Sequence, residues 1–214
     1  MKLLVIGDSH CTGYGLKNWN PNDKYAYMPE TWCHQVAKEI GADITVDCNF
    51  AASNQEILHR YLTWDTAQYD VCIILWGTCR RLYWKDFTKD QFKSASLALD
   101  HPIVPLAQYF GYVYNEDLAL MQLHSFVALT EKLFKGKILL HDFLRDKIDP
   151  KLIDNSLTVD PNNFNSFTSV WESLGKPEGE QGHHYSEESH RVWAHEYVVP
   201  RIRSLLNELD NSQK

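Results

Sequence analysis

Residues 1–13 of the chain read MKLLVIGDSHCTG, and this stretch gives the clearest indication of how the protein folds. Residues 3–6 form a short apolar run rich in strand-forming side chains, and Gly7 ends the run. Such a run is typical of a buried parallel strand that delivers a loop to the edge of a sheet. We therefore predict that the first strand of an α/β sheet ends at this glycine.

The loop after this strand carries three polar side chains, Asp8, Ser9 and His10. Ligands of open α/β sheets bind beyond the carboxyl ends of the strands, so the Ser9 hydroxyl is predicted to lie where chemistry is usually done. Simple turn formation is the alternative, because glycine, aspartate and serine all favour turns for local hydrogen-bonding reasons. The N-terminal stretch alone does not separate the two interpretations.

A second polar cluster lies near the other end of the chain. Residues 182–194 read GHHYSEESHRVWA and place a histidine pair, His183 and His184, directly before a predicted helix. Ser186 is a suitable N-cap for that helix, and the two glutamates that follow it suit the positive end of the helix dipole. A histidine in this loop is therefore predicted to lie at a helix N-terminus.

The two clusters together resemble the SGNH (GDSL-type) hydrolase superfamily. Gly-Asp-Ser follows the first strand, and His184, Ser186 and His190 match the pattern His-x-Ser-x-x-x-His near the C-terminus. The resemblance extends from Gly7 to about Ala194. It implies an α/β fold, a three-layer α/β/α sandwich with a parallel sheet of the flavodoxin-like kind, and a serine hydrolase activity.

The resemblance also implies roles for individual residues. Ser9 matches the family's nucleophile, and its backbone N–H normally donates to the oxyanion. His184 matches the base, with His183 as a rival that the sequence does not separate from it. Asp8 belongs to the nucleophile motif and is expected to be a catalytic residue. His10 and His183 are expected to contact the substrate.

The chain departs from the family at the position of the catalytic acid, three residues before the histidine. Gln181 stands there, and a glutamine cannot stabilise a developing imidazolium by charge. The acid is therefore absent, displaced to Glu180, or replaced by a backbone carbonyl that holds the ring nitrogen. A Ser-His dyad is the working hypothesis.

The family's second motif supplies a glycine N–H to the oxyanion hole. Residues 49–54, Asn-Phe-Ala-Ala-Ser-Asn, resemble its Asn-x-x-x-Ser-Gly form, with Asn54 in the glycine position. The N–H survives this change if Asn54 adopts the required backbone angles, and asparagine tolerates the left-handed region better than most residues. Asn54 is therefore expected to be an oxyanion donor.

The third motif, Gly-x-Asn-Asp, departs further. Residues 77–80 read Gly-Thr-Cys-Arg, so Cys79 replaces the asparagine donor, and a thiol is a weak donor. Either Asn54, Thr78 or Arg80 supplies the missing hydrogen bond, or hydrolysis is slow. Cys79 and Arg80 are expected to contact the substrate.

The rest of the chain alternates strands and helices, which predicts a parallel sheet with helices on both faces. Residues 82–115 lack this order and are interpreted as an insertion or lid with little regular structure, within a single domain of residues 1–214. Pro200 is expected to kink the last helix. Strands are predicted at residues 3–6, 43–49, 70–76 and 137–141, with a short fifth strand near 157–159, and helices at residues 29–40, 55–68, 117–134 and 186–209.

Composition limits the classes of partner. The 214 residues are 44% hydrophobic and 23% charged, with a net charge of −7, which argues against nucleic acid or an anionic membrane as the main partner. No apolar segment approaches the roughly 20 residues of a membrane span or resembles a signal peptide. The five cysteines are odd in number and show no metal-ligand spacing, so we expect a reducing cytoplasm and no metal or cofactor.

Two classes of function fit these observations. The first is an esterase or deacylase that acts on an O-acyl ester, with an O-acyl carbohydrate as one candidate, through an acyl-Ser9 intermediate. The second is a non-catalytic binding or assembly protein on an SGNH scaffold, which the altered motifs favour. Residues 53–57 and 76–80 also resemble divergent SGNH-like proteins of phage and bacterial genomes. The sequence does not indicate the oligomeric state.

Overall fold

The fold is a parallel β-sheet with helices packed on both faces. The structure, a computed structural model, describes residues 1–14, 16, 28–79, 81–86, 91–96, 114–143, 158–160, 166–175 and 184–212. The strands are β1 (Lys2–Gly7), β2 (Asp43–Cys48), β3 (Val71–Trp76), β4 (Arg81–Asp86), β5 (Gln91–Ser96) and β6 (Ile138–Phe143). The helices are α1 (Trp32–Ile40), α2 (Asn54–Thr63), α3 (Glu116–Leu133), α4 (Phe167–Ser173), α5 (Glu187–Val192) and α6 (Val199–Ser212).

Four strands form the central sheet in the order β2-β1-β3-β6, and all neighbours are parallel. This order is the flavodoxin-like arrangement, in which the direction of strand addition reverses beside β1. The predicted α/β sandwich is confirmed. The fifth strand expected near residues 157–159 is reduced to a single parallel bridge between His141 and Thr158.

Alternation along β1 shows why the sheet needs a helical layer on each face. Leu3 and Val5 point into a core that α1, α5 and α6 cover, and Leu4 and Ile6 point into a second core under α2 and α3. Successive side chains of a strand face opposite sides of the sheet. A strand whose apolar residues are consecutive must therefore be covered on both faces, and the same holds for β3, whose six residues are all buried.

The segment interpreted as irregular contains a hairpin. Strands β4 and β5 pair in antiparallel register, from Arg81 opposite Ser96 to Asp86 opposite Gln91. The expectation of little regular structure from residue 82 is therefore wrong for these two strands. Each of these strands forms its hydrogen bonds with the other, which is only a few residues away along the chain. The hairpin therefore does not follow the α/β repeat on which the prediction was based. The interpretation of residues 82–115 as a lid stays a prediction, and residues 97–113 lie outside the described part of the chain.

The C-terminal helix differs from the single kinked helix expected over residues 186–209. A π-helical turn, Trp193–Val198, separates α5 from α6, and the Val199 N–H donates to the Ala194 carbonyl five residues earlier. Pro200 has no N–H, and its ring crowds the carbonyl four residues before it, so a regular α-helix is disfavoured there. The widened turn just before the proline absorbs this conflict. Among the described helices, none combines the length and apolarity needed to cross a bilayer.

Burial shifts the pKa values of two histidines and one aspartate in the core of this fold. Burial lowers the pKa of His141, which accepts a hydrogen bond from the Trp76 indole, to about 3. Burial is also the main reason that the pKa of His190 is lowered to about 3, with nearby histidines adding to the effect. Burial raises the pKa of Asp142 to about 7. Folding therefore excludes protons from two histidines and retains one on an aspartate.

Acidification from pH 6 to pH 4 should lower the free energy of unfolding. The unfolded histidines, with a pKa near 6.5, bind protons that the folded ones exclude, which contributes a loss of about 2.7 kcal/mol per pH unit for two groups. Asp142 opposes this by about 1.4 kcal/mol per unit, because its folded carboxyl binds a proton over the same range. These three groups together give a net loss of about 1.4 kcal/mol per unit in urea unfolding, and the lowered pKa values of His34 and Asp8 add to that loss.

His141→Gln keeps an acceptor for the Trp76 indole. It also removes one of the two histidines that bind a proton only in the unfolded chain. Between pH 6 and pH 4 this variant should therefore lose about 1.4 kcal/mol less per pH unit than the original protein. His59→Gln, at an exposed position of α2, is the control and should keep the slope of the original protein. Equal slopes for the two variants would show that His141 does not exclude a proton in the folded state.

Candidate active site

Ser9 lies at the carboxyl end of β1, on a turn that packs tightly against the next strand. The turn is a short 3-10 helix, Ser9–Cys11, capped by the Asp8 side chain. A Cβ atom on Gly7 would lie 2.9 Å from Cys11 Sγ and 2.9 Å from Leu75 Cβ, so only glycine fits where the strand ends. The fold thus fixes the backbone that carries the serine, and leaves Ser9 only 4% exposed.

His184 meets this serine from the other end of the chain. Its Nε2 atom lies 3.1 Å from Ser9 Oγ across 175 positions of sequence. The histidine lies just before α5, whose N-cap Ser186 accepts the Ser189 N–H. A hydroxyl and an imidazole at hydrogen-bond distance can exchange a proton, which is the geometric requirement for a serine nucleophile and its base.

Two aromatic rings lie against His184. The His10 ring stacks on it, with ring centroids 5.0 Å apart and an interplanar angle of 22°. The Tyr14 ring meets it edge-on, with centroids 4.2 Å apart and an angle of 70°. His10, expected to contact substrate, is thus in contact with the candidate base and is only 5% exposed.

Asp8 is fully buried beside the serine and is bound on both carboxylate oxygens. Its Oδ1 accepts the His10 backbone N–H at 3.0 Å and lies 2.8 Å from His10 Nδ1, and its Oδ2 accepts Arg81 Nη1 at 2.6 Å. Burial alone would raise the pKa of Asp8, but His10 and Arg81 outweigh burial and hold the pKa well below its ordinary range. The carboxylate is therefore charged and fixed.

Arg81 is a site residue that the sequence analysis missed. Its Nη1 also donates to the Ala52 carbonyl at 3.0 Å, and Gly77 makes room for it, because a Cβ there would lie 3.1 Å from the same nitrogen. Arg80, which is expected to contact the substrate, lies outside the described part of the chain. The sequence does not show that Arg81 reaches the interior, because its partner Asp8 lies 73 positions away along the chain.

Asn54 is the first residue of α2, behind the N-cap Ser53. The first N–H groups of a helix have no intrahelical acceptor, so the Asn54 N–H is at a position suited to bind an anion. The left-handed residue of the preceding loop is Ala51, with φ of 51°, and not Asn54. The backbone angle expected of Asn54 is therefore not needed there, because the helix start itself presents the N–H.

Cys79, expected to contact substrate in place of the family's asparagine, packs between α2 and α3. Its Sγ atom lies 3.7 Å from Asn54 Nδ2 and 3.6 Å from the Ala119 carbonyl oxygen, and the residue is 8% exposed. The thiol therefore supports the Asn54 side chain. All five cysteines are free thiols in the structure.

The remaining residues of the predicted site are only partly described. Gln181, at the family's acid position, its neighbour Glu180, and His183, the rival base, lie outside the described part of the chain. His190 accepts the Trp32 N–H through Nδ1 and so ties α5 to α1. Within the described ranges, no group of three or more histidine, cysteine, aspartate or glutamate side chains is placed to hold a metal ion.

Comparison with known proteins gives matches at the level of structure. No protein-family model matches the sequence, and no curated protein matches it. An acetyl xylan esterase from Butyrivibrio proteoclasticus superposes with a TM-score of 0.55 at 14% identity, over 96% of this chain and 64% of that one. A family two carbohydrate esterase from Clostridium thermocellum gives 0.53 at 12% identity, over 96% and 64%.

A lipolytic protein of the G-D-S-L family from Desulfitobacterium hafniense gives a TM-score of 0.50 at 11% identity, over 94% of this chain and 98% of that one. The chain spans about two thirds of the length of the two carbohydrate esterases and nearly all of the lipolytic protein. These similarities define the class of fold. The chain has the SGNH hydrolase fold that the sequence resemblance implies.

Arg81→Met should destabilise the protein strongly. Removing one partner of a buried ion pair leaves an uncompensated charge, which costs about 3–5 kcal/mol. Urea unfolding at pH 7 measures the loss. Arg191→Met is the control, because Arg191 pairs with Glu188 on an exposed face of α5 and exposed pairs contribute little. An Arg81→Met variant as stable as this control would contradict the view that Arg81 compensates the charge of Asp8.

Proposed function

We propose that the protein is an ester hydrolase that works through an acyl-Ser9 intermediate, with His184 as base and then acid. The observation that supports this most directly is the 3.1 Å separation of Ser9 Oγ and His184 Nε2. Two groups from opposite ends of the chain meet where an α/β sheet of this type binds its ligands. The fold shared with carbohydrate esterases and a G-D-S-L lipolytic protein agrees with this assignment.

Acylation follows from this geometry. Ser9 Oγ attacks the ester carbonyl carbon while its proton passes to His184 Nε2, and the carbonyl oxygen becomes an oxyanion. As the carbon–oxygen bond to the alcohol breaks, the same imidazole gives its proton to the leaving oxygen. Water then attacks the acyl carbon while His184 accepts its proton. As the bond between the acyl carbon and Ser9 Oγ breaks, His184 returns that proton to Oγ and a carboxylic acid leaves. The products are one alcohol and one acid, and the enzyme is regenerated.

Backbone N–H groups are the proposed donors to the oxyanion. Ser9 begins the 3-10 turn and Asn54 begins α2, so neither N–H group has an acceptor within its own helical turn, and the dipole of α2 favours negative charge beside Asn54. The side chain at position 79 does not add a strong donor, because it is a thiol that contacts Asn54 and Ala119. Losing one donor of this kind costs about 10²–10³ in turnover, so we expect slow hydrolysis.

The proposed substrate is a short O-acyl ester of a carbohydrate. Ser9 is 4% exposed, which favours a small acyl group over a long chain. Two of the structural neighbours are carbohydrate esterases, one of them an acetyl xylan esterase. The chain spans 64% of the length of each of these proteins, and we propose a related substrate for it.

A fluorophosphonate probe tests the nucleophile directly. Intact-mass measurement should show one adduct on the original protein and none on Ser9→Ala, because only a serine activated by a base reacts readily. Hydrolysis of p-nitrophenyl acetate should disappear in the same variant. Ser125→Ala, on the exposed face of α3, is the matched control and should label and hydrolyse normally.

Circular dichroism establishes that each of these variants is folded. Labelling that persists in Ser9→Ala would place the reactive group elsewhere. A folded protein that neither labels nor hydrolyses the ester would contradict the hydrolase proposal. That outcome would favour the alternative, a binding or assembly protein on the same scaffold.

A further inference from the structure

His10 occupies a rigid position beside the candidate base. Its ring is 5% exposed and packs against Tyr185 with centroids 4.6 Å apart, and against the edge of Phe167 at 6.5 Å. Phe167 in turn packs on Tyr185 at 4.4 Å. A ring enclosed in this way by other rings has little freedom to move.

The rotation of the His10 ring is fixed as well. Nδ1 lies 2.8 Å from Asp8 Oδ1, and Asp8 is held from its other oxygen by Arg81 at 2.6 Å. A hydrogen bond between buried groups, one of them a fully buried carboxylate, is stronger than one in water. His10 is therefore held in translation by its aromatic neighbours and in rotation by Asp8.

A base must keep its nitrogen directed at the nucleophile. In the template of a serine hydrolase an acid beyond the histidine provides this orientation, and here the matching position is Gln181, which carries no charge. The His184 ring also lies nearly parallel to the fixed His10 ring, at 22° and 5.0 Å. The flat face of the His10 ring limits tilting of the His184 imidazole while its Nε2 faces Ser9.

We infer that His10 is a positioning residue for the reaction, which orients the His184 ring by stacking and is itself locked by Asp8 and Arg81. The inference rests on the proposed function, because it assigns how the proposed base is held. Two aromatic rings in offset contact attract each other beyond the effect of their buried area. Small errors in the placement of a catalytic group slow the reaction strongly. Loss of the His10 ring should therefore lower turnover more than it weakens substrate binding.

Three substitutions separate the ring from its hydrogen bond to Asp8. His10→Phe keeps a ring and loses the bond, His10→Leu loses both, and His10→Asn keeps a donor towards Asp8 and loses the ring. With p-nitrophenyl acetate, kcat should fall roughly 10-fold to 100-fold in the leucine and asparagine variants, with little change in KM. The phenylalanine variant should recover most of that loss.

The opposite order would overturn the inference. If the bond to Asp8 matters and the stack does not, asparagine will be the most active of the three, and phenylalanine and leucine will be equally slow. Should the asparagine variant fail to fold, the comparison of phenylalanine with leucine decides, since these differ only in the ring. His195→Asn, an exposed histidine after α5, is the control and should leave kcat unchanged.

A magnetic resonance measurement keeps this test independent of ester hydrolysis. Ring currents shift the Cε1 proton of a stacked imidazole, so the His184 signal should be displaced in the original protein and in His10→Phe. The displacement should shrink in His10→Leu and His10→Asn. An unchanged His184 signal in both of these variants would show that the two rings do not stack and overturns the inference even if no ester is hydrolysed. A changed signal without hydrolysis shows the stack and contradicts the proposed function.

Discussion

One buried charge organises the candidate site. The carboxylate of Asp8 has no exposed area, and a charge in that position is stable only when it is paired and hydrogen-bonded. Its partners are His10, on its own turn, and Arg81, at the start of β4, which also binds the carbonyl of Ala52. The segments that follow β1, β2 and β3 are thereby fastened to a single group, and the nucleophile is the next residue along the chain.

The order of the strands explains why these segments meet. In the order β2-β1-β3-β6, the chain adds β2 on one side of β1 and then adds β3 and β6 on the other side. The loops after β1 and β3 then diverge to opposite faces and leave a crevice at the carboxyl edge. Ser9 lies at that crevice and Asn54 starts the helix beside it, so the position of the serine follows from topology before any side chain is considered.

The sequence predicts the elements whose signal is local and misses those that depend on tertiary contacts. The run that forms β3 is apolar and bounded by polar residues, and the stripe of α3 has helical spacing, so both are predicted to within about one residue. The contact of Arg81 with Asp8 depends on where Asp8 lies in space. The π turn before Pro200 and the left-handed Ala51 arise where local geometry must adapt to packing. The identity of a single residue does not predict such adaptations.

The distance along the chain between Ser9 and His184 has a consequence for the protein during synthesis. The two residues are 175 positions apart, and ribosomes add about 5–20 residues per second, so the serine exists for roughly 10–35 seconds before its histidine is made. On the proposed mechanism a nascent chain therefore carries an inert hydroxyl. On that mechanism, hydrolysis begins only when the last helices dock, and the onset of esterase activity would mark the completion of folding.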